Sequence, residues 1–180
     1  AGSLTTMFIM SKTIVDERYG DKMNQSQLKD AIVEYQRKCA KKYDVLDIDV
    51  DAFPTEISNR MTKTAGKVAH KGGEVSYVRY AYKAYEKWGW KKFAKTIRHE
   101  LIHVHQVQNN KPSGHGYSFK KLVEPLDTHR HCEKFSTPNY LVTCKGCGET
   151  TGRQKKSKLV KYPHKYQCSR CGGDLVSSKN

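Results

Sequence analysis

The segment RHELIHVHQ, residues 98–106, places three histidines and one glutamate within nine positions. On an α-helix, His99 and His103 lie about 40° apart around the axis, so both imidazoles leave the same face. Glu100 lies about 100° from His99 and borders that face, whereas His105 lies about 200° from His103 and points away. A helix here therefore predicts a metal site built on His-Glu-x-x-His. A surface helix that carries these residues without function is the alternative.

A catalytic zinc ion usually has three protein ligands and one position left for water. His115, which lies between two glycines, is the preferred third ligand because the preceding loop can fold the chain back over the metal. Glu124 is the alternative: its distance from His103 along the chain resembles that in zinc peptidases with a glutamate ligand, although Pro125 disfavours a helical ligand there. Further donors are offered by a nearby cluster, His129, His131 and Cys132.

The residue types of this motif predict the hydrolysis of peptide bonds. Bound zinc lowers the pKa of its water to about 7, which makes hydroxide available at neutral pH. Glu100 would take the proton of this water and later deliver it to the leaving amine. Tyr117, two residues after His115, is a candidate for stabilising the oxyanion.

Two Cys-x-x-Cys pairs with a 20-residue spacer lie near the C-terminal end of the sequence, Cys144/Cys147 and Cys168/Cys171. This spacing is typical of a structural zinc site of the ribbon type, in which four thiolates bind one ion. Because a β-segment this short cannot be stabilised by burial alone, the metal would supply much of its folding free energy. Two disulfides are the alternative, which a reducing environment disfavours. Cys39, on the apolar stripe of a predicted helix, is interpreted as a core residue.

The chain is strongly basic, with 33 Lys and Arg residues against 18 Asp and Glu residues and a formal net charge of +15. Such a balance favours a polyanionic partner, of which nucleic acid is the most common. Residues 133–180 hold ten basic residues against three acidic ones. A lysine-rich surface that maintains solubility, or one that binds acidic proteins, is the alternative. Seven basic residues between or beside the ribbon cysteines are predicted to contact phosphates: Arg153, Lys155, Lys156, Lys158, Lys161, Lys165 and Arg170.

The hydrophobic pattern predicts an α+β fold. We expect a helix over 23–43, a strand over 45–53, and two or three short antiparallel strands within 56–85. After Gly89, the pattern predicts a second helix that ends near Gln108 and a third helical segment limited by Pro125. Three segments follow: residues 1–20, which begin with AGSL, a sequence resembling an expression scar; a metalloprotease domain over 21–136; and a zinc-ribbon subdomain over 137–180.

The sequence has no window approaching the roughly 18 consecutive apolar residues of a membrane span, and its first residues lack the hydrophobic region of a signal peptide. We therefore expect a monomer without membrane association in a reducing cell interior. The expected location is cytoplasmic and nucleoid-associated, or nuclear if the host is a eukaryote.

Three features together resemble the SprT-like (Spartan-related) family of zinc metalloproteases over residues 20–180. They are HELIH at 99–103, GHG at 114–116 followed by an aromatic-containing helix, and the basic, cysteine-bearing tail, which is more similar to the microbial members. The resemblance implies a zincin-like helical core with a small antiparallel sheet and a C-terminal β zinc ribbon. It implies one catalytic zinc ion on His99, His103 and His115, one structural zinc ion, and Glu100 as the catalytic base.

The resemblance also implies a function. Family membership implies a DNA-stimulated endopeptidase that degrades DNA-bound or DNA-crosslinked proteins and cleaves itself, with single-stranded or junction DNA as the expected partner. The alternative is a nucleic-acid-binding or transcription-associated adaptor in which the ribbon is the working module and the metal core is inactive. The intact Glu100 favours the enzyme, because a binding protein needs no carboxylate beside the zinc.

Overall fold

The computed structural model describes residues 22–180. These form two compact units, one ending at Glu133 and the other running from Lys134 to Asn180. The division lies three residues before the position at which the change in composition puts a boundary. The predicted N-terminal segment, residues 1–20, lies outside the described residues.

The first helix, α1, spans Gln25–Lys42, within two residues of the bounds predicted from the apolar stripe. It begins with a capping box: the side chain of Asn24 accepts from the backbone N–H of Gln27, and the side chain of Gln27 accepts from that of Asn24. Leu28 and Cys39 are fully buried, so Cys39 is a core residue as predicted.

The strand predicted for residues 45–53 is wrong. The chain instead passes through turns into a 3₁₀ turn at Val50–Ala52, in which the carboxylate of Asp49 accepts from the backbone N–H of Asp51. The backbone N–H groups of Asp47 and Asp49 are bound by side chains of a helix, His105 and Gln108, rather than by a neighbouring strand. In this segment, side-chain acceptors bind the backbone N–H groups that a neighbouring strand would otherwise bind. The alternation of apolar and acidic residues therefore does not produce a strand here.

Three short strands form one sheet in the order β1-β3-β2: β1 (Thr55–Ser58), β2 (Gly66–Lys71) and β3 (Glu74–Ala81). Strands β2 and β3 form an antiparallel hairpin whose turn, Gly72-Gly73, has positive φ at both residues, as a tight two-residue turn requires. The pairing of β1 with β3 is parallel, so the all-antiparallel prediction is wrong for this pair. Strand β2 lies at an edge of the sheet and runs beside the candidate site.

The long helix α2 spans Tyr82–Gln108 and is interrupted at Gly89, which has φ 72° and ψ 172°. Its first residues, 82–85, lie in the segment that was expected to form strands, so that part of the prediction is wrong; the break and the end at Gln108 are confirmed. Helix α3, Tyr117–Val123, packs on α2 through the buried Phe119 and ends before Pro125, as expected.

The second unit contains an antiparallel sheet in the order β5-β4-β6: β4 (Tyr140–Cys144), β5 (Thr150–Arg153) and β6 (Leu175–Lys179). A one-turn helix, α4 (Lys158–Lys161), closes a small core around Val142 and Val160. With four helices and two small sheets, the described chain is α+β. No helix within residues 22–180 is long and apolar enough to cross a membrane.

Candidate active site

Three histidines converge on one point at the surface of α2. The helix places His99 and His103 on the same face, and the loop after Gln108 returns the chain so that His115 lies over both. The Nε2 atom of His115 is 3.1 Å from Nε2 of His99 and 3.2 Å from Nε2 of His103. Nitrogen ligands about 2.0–2.1 Å from one tetrahedral zinc ion are about 3.3–3.4 Å apart, so the spacing of the three nitrogens fits that ion.

The hydrogen bonds of the two helical histidines assign their tautomers. Nδ1 of His99 is 2.7 Å from the carbonyl oxygen of His129, and Nδ1 of His103 is 2.9 Å from Oε1 of Gln106. Both oxygens can only accept, so each Nδ1 carries the proton and each Nε2 presents a lone pair to the centre of the cluster. Ligand atoms of His99, His103 and His115 all lie within 4.8 Å of one another, so the donor set fits a metal ion and is consistent with zinc.

Burial keeps these imidazoles in the form that can bind a metal. It lowers the pKa of His99 to about 4 and lowers the pKa values of His103 and His115. The neutral form of all three rings is therefore favoured at pH 7. The ring of Phe119, on α3, packs against them at centroid distances of 4.5–4.9 Å and keeps one side of the cluster dry.

Gln106 connects the two parts of the chain that supply the histidines. It is fully buried, and its side-chain N–H groups donate to the carbonyl of Gly114 and to Oγ of Ser118, both at 2.9 Å. These donor bonds assign the amide orientation, which leaves Oε1 for His103. The sequence analysis missed this residue, although its i+3 spacing from His103 on a helix was the available signal.

Glu100 lies beside the histidines and is only 4% exposed. Burial raises the pKa of its carboxyl group to about 8. Gly66, the first residue of β2, lies directly against it: a Cβ atom at this position would be 2.4 Å from Oε1 of Glu100. A glycine is therefore required here by the close approach of the strand to the carboxylate.

The cluster opens into a cavity of about 470 Å³. One wall is the chain leading into β2 together with its first residues, and the opposite wall is α2 with the loop that carries His115. A third side is formed by Arg130, His131 and Cys132. An exposed edge strand, three convergent imidazoles and a buried carboxyl group thus share one cleft.

The other predicted donors are not members of the cluster of three histidines. His105 contacts the backbone of Asp47 and so binds the loop that follows α1 to α2. This agrees with the prediction that His105 lies on a different face of the helix from His99 and His103. Glu124 is exposed at the C-terminal end of α3 and does not belong to the cluster. Cys132 lines the cavity, with its Sγ 3.3 Å from Nε2 of His129. Tyr117 is 83% exposed and is not among the described residues that line the cavity.

The four ribbon cysteines also converge. Sγ of Cys144 is 3.5 Å from that of Cys171, and Sγ of Cys147 is 3.7 Å from that of Cys168. A disulfide needs about 2.05 Å, whereas thiolates about 2.3 Å from one tetrahedral zinc ion are about 3.8 Å apart, so the geometry fits the metal. Backbone N–H groups, first that of Cys147, lower the pKa of Cys144 to about 7, which favours a thiolate. The cluster is compatible with a zinc ribbon.

The predicted phosphate-binding residues lie on the surface of this second unit. The five lysines of the set are exposed, while Arg153 is half-buried and Arg170 is 3.2 Å from the carboxylate of Glu149. Tyr162 and Tyr166 are exposed on the same segment, and Nζ of Lys165 lies 5.2 Å from the centre of the Tyr162 ring.

Comparison with known proteins places the chain in a family. The sequence model of the SprT-like family matches residues 28–141, a range that contains the histidine cluster and ends before the first ribbon cysteine. "Protein SprT-like" of Streptococcus sanguinis is 33% identical over 125 residues, which are 68% of this chain and 81% of that protein. "Protein SprT-like" of Streptococcus thermophilus is 32% identical over 123 residues, 66% of this chain and 80% of that protein. The chain therefore belongs to the SprT-like family.

Proposed function

We propose that this protein is a zinc-dependent endopeptidase with a zincin-like core that cleaves DNA-bound or DNA-crosslinked proteins. The observation that carries the proposal is the convergence of three imidazole Nε2 atoms beside a buried glutamate in an open cleft. In this proposal His99, His103 and His115 hold the catalytic zinc ion and Glu100 is the base. Cys144, Cys147, Cys168 and Cys171 hold a second, structural ion.

The roles of the residues follow from their environment. A zinc ion held by the three histidines would supply Lewis acidity and would lower the pKa of a bound water. The Glu100 carboxylate would act as the base that takes a proton from that water, and its burial, which raises the pKa of the carboxyl group in the metal-free protein, favours keeping the proton once it is taken. The same carboxyl group then donates the proton to the leaving amide nitrogen. The carbonyl of His129 and the amide of Gln106 keep the rings of His99 and His103 in the required orientation.

The edge strand β2 supports binding of an extended substrate. Within residues 22–180 it pairs with β3 alone, and its first residues line the cleft. Its free backbone groups can hydrogen-bond to a peptide that adds a further strand to the sheet. Main-chain recognition of this kind selects extended, unfolded segments and depends little on their sequence.

DNA association is proposed from the charge of the chain. The exposed lysines of the ribbon unit and the net charge of +15 favour contacts with the phosphate backbone. A peptidase held on DNA meets DNA-bound proteins at a high effective concentration, so loose peptide specificity would suffice. DNA stimulation, self-cleavage and a nucleoid or nuclear location are parts of this proposal.

The test compares the zinc-loaded protein with Glu100→Gln and Glu124→Gln on a DNA-bound basic protein, with and without single-stranded DNA. Glu124→Gln is the matched control, because it makes the same change outside the histidine cluster. We expect DNA-dependent fragments from the wild type and from Glu124→Gln, and none from Glu100→Gln. Tight DNA binding by all three proteins without cleavage of several substrates would instead favour the ribbon adaptor.

A further inference from the structure

A second cavity, of about 580 Å³, lies at the break in α2. Its lining combines one indole ring, three lysines, two histidines and one acidic residue: Trp88, Lys91, Lys92, Lys95, His129, His131 and Glu133. We propose that this cavity binds one nucleotide of a single-stranded nucleic acid, with the base stacked on Trp88 and the phosphate held by the lysines. The inference rests on the proposed function in taking nucleic acid as the partner.

The helix break at Gly89 lies between two tryptophans that have different surroundings, Trp88 and Trp90. Trp90, after the break, is 6% exposed and packs edge-on against Tyr35 at 5.5 Å between ring centroids. Trp88, before the break, is half-buried and lines the cavity. Lys91 and Lys95 follow at i, i+4 spacing on the next helical segment, so they lie on one face of it, and both line the cavity.

The charged groups are arranged so that a phosphate can enter. Nζ of Lys92 lies 5.8 Å from the centre of the Trp88 ring and 2.5 Å from the carboxylate of Glu133. Lys95 pairs with Asp127 at 3.4 Å. The side chains of these pairs are 42–68% exposed, and exposed pairs contribute little to stability, so a phosphate can replace the carboxylates without a large penalty.

The chemistry of the lining favours a nucleotide over other anions. A lysine cluster alone would serve any polyanion, but an aromatic face beside it is the arrangement that binds unpaired bases through stacking. The volume lies within the range of about 300–1,000 Å³ that is typical of sites for one small ligand. A base in a duplex has no free face, so the site selects single strands.

The position of the cavity connects it to the histidine cluster. His131 lines both cavities, and its ring centroid is 5.7 Å from that of His115. The ring of His129 lines the second cavity, while its carbonyl accepts from Nδ1 of His99. A nucleic-acid strand bound in the second cavity would therefore be separated from the peptidase cleft only by the segment that carries His129 and His131. A protein attached to that nucleic acid would lie close to the cleft.

The test uses the fact that the chain has two tryptophans. In a Glu100→Gln background, which prevents self-cleavage, Trp90→Phe leaves Trp88 as the only tryptophan. We expect a short thymidine oligonucleotide to quench this fluorescence on binding. Trp88→Phe, which keeps Trp90, should bind the same oligonucleotide, labelled and followed by anisotropy, without quenching. Trp88→Ala should weaken binding roughly 5- to 150-fold, the range for loss of one stacked base.

Paired lysine variants test the phosphate contacts. We expect Lys91→Ala/Lys95→Ala to weaken binding and to reduce its salt dependence more than Lys83→Ala/Lys87→Ala, which removes the same charge from exposed positions outside the cavity. Unchanged Trp88 fluorescence at saturating oligonucleotide, or equal quenching by a glutamate peptide of matched length, overturns the inference. So does the absence of any oligonucleotide binding. The fluorescence measurement is independent of proteolysis. If the oligonucleotide quenches Trp88 but the wild-type protein cleaves no substrate, the peptidase proposal is refuted and the nucleotide site is retained.

Discussion

Gln106 connects three parts of the proposed metal site through one side-chain amide. Its oxygen accepts from Nδ1 of His103, and its nitrogen donates to Gly114 and Ser118. Gln106→Leu keeps the size of the side chain and removes all three bonds. We therefore expect a loss of zinc affinity at the histidine site, although Gln106 itself cannot reach the metal.

The magnitude follows from the bonds that are lost. Removing the hydrogen-bond partner of a metal-binding histidine typically costs about 10- to 100-fold in affinity, or about 1.4–2.7 kcal/mol. The metal-free protein should also be less stable by about 1–3 kcal/mol, the usual penalty for leaving a buried polar group without a partner. The lower end is expected, because Gly114 is exposed and Ser118 is half-buried, so both can turn to water.

Zinc affinity is measured by competition with a chromophoric chelator, and cobalt substitution separates the histidine site from the thiolate site by its spectrum. Gln108→Leu is the matched control: the same substitution on the same helix, at a residue that binds the backbone of Asp49 instead. Gln106→Glu should keep most of the affinity, because a carboxylate still accepts from His103, but it cannot donate to Gly114. Equal zinc affinity of the Gln106→Leu and Gln108→Leu proteins would refute the reasoning.

Three further predictions concern other parts of the protein. Burial raises the pKa of Glu100 to about 8 from 4.5, so between pH 6.5 and 8 the folded metal-free protein holds a proton that the unfolded chain has released. Its free energy of unfolding should fall by about 1.5 kcal/mol over that interval, and urea denaturation of Glu100→Gln should lack this loss. Gly66→Ala should lower peptidase activity at least tenfold by displacing Glu100, whereas Gly116→Ala, with open space for a Cβ, should not; equal activities would contradict the close approach. Cys171→Ser should make residues 134–180 sensitive to a protease, as a chelator would, while the thermal transition of the first unit stays unchanged; a protected ribbon would contradict a metal-dependent fold.

Local sequence patterns were sufficient for α1 and for the part of α2 that follows Gly89. The apolar stripe over residues 23–43 predicted α1, because 3.6-residue periodicity depends only on neighbours along the chain. The same holds for the shared face of His99 and His103. The spacing of the cysteines likewise predicted four thiols that can surround one ion. The roles of these residues in binding zinc and in catalysis stay predictions.

The strands could not be predicted in this way, because their pairing is set by distant parts of the chain. Alternation over residues 45–53 indicated a strand, but side chains of α2 satisfy the backbone there. Strand β1 pairs with β3, not with β2, and because β2 and β3 are antiparallel, β1 and β3 run parallel. No local sequence pattern indicates which strand β1 will pair with.

The tertiary structure alone decided how the site is completed. Sequence left His115 and Glu124 as alternatives, and the return of the loop over α2 brings only His115 to the other two imidazoles among the described donors. The carbonyl of His129 and the close approach of Gly66 to Glu100 are likewise contacts between distant segments. A helix fixes the relation between residues three or four apart, whereas the partners of a buried histidine depend on where loops and strands pack in three dimensions.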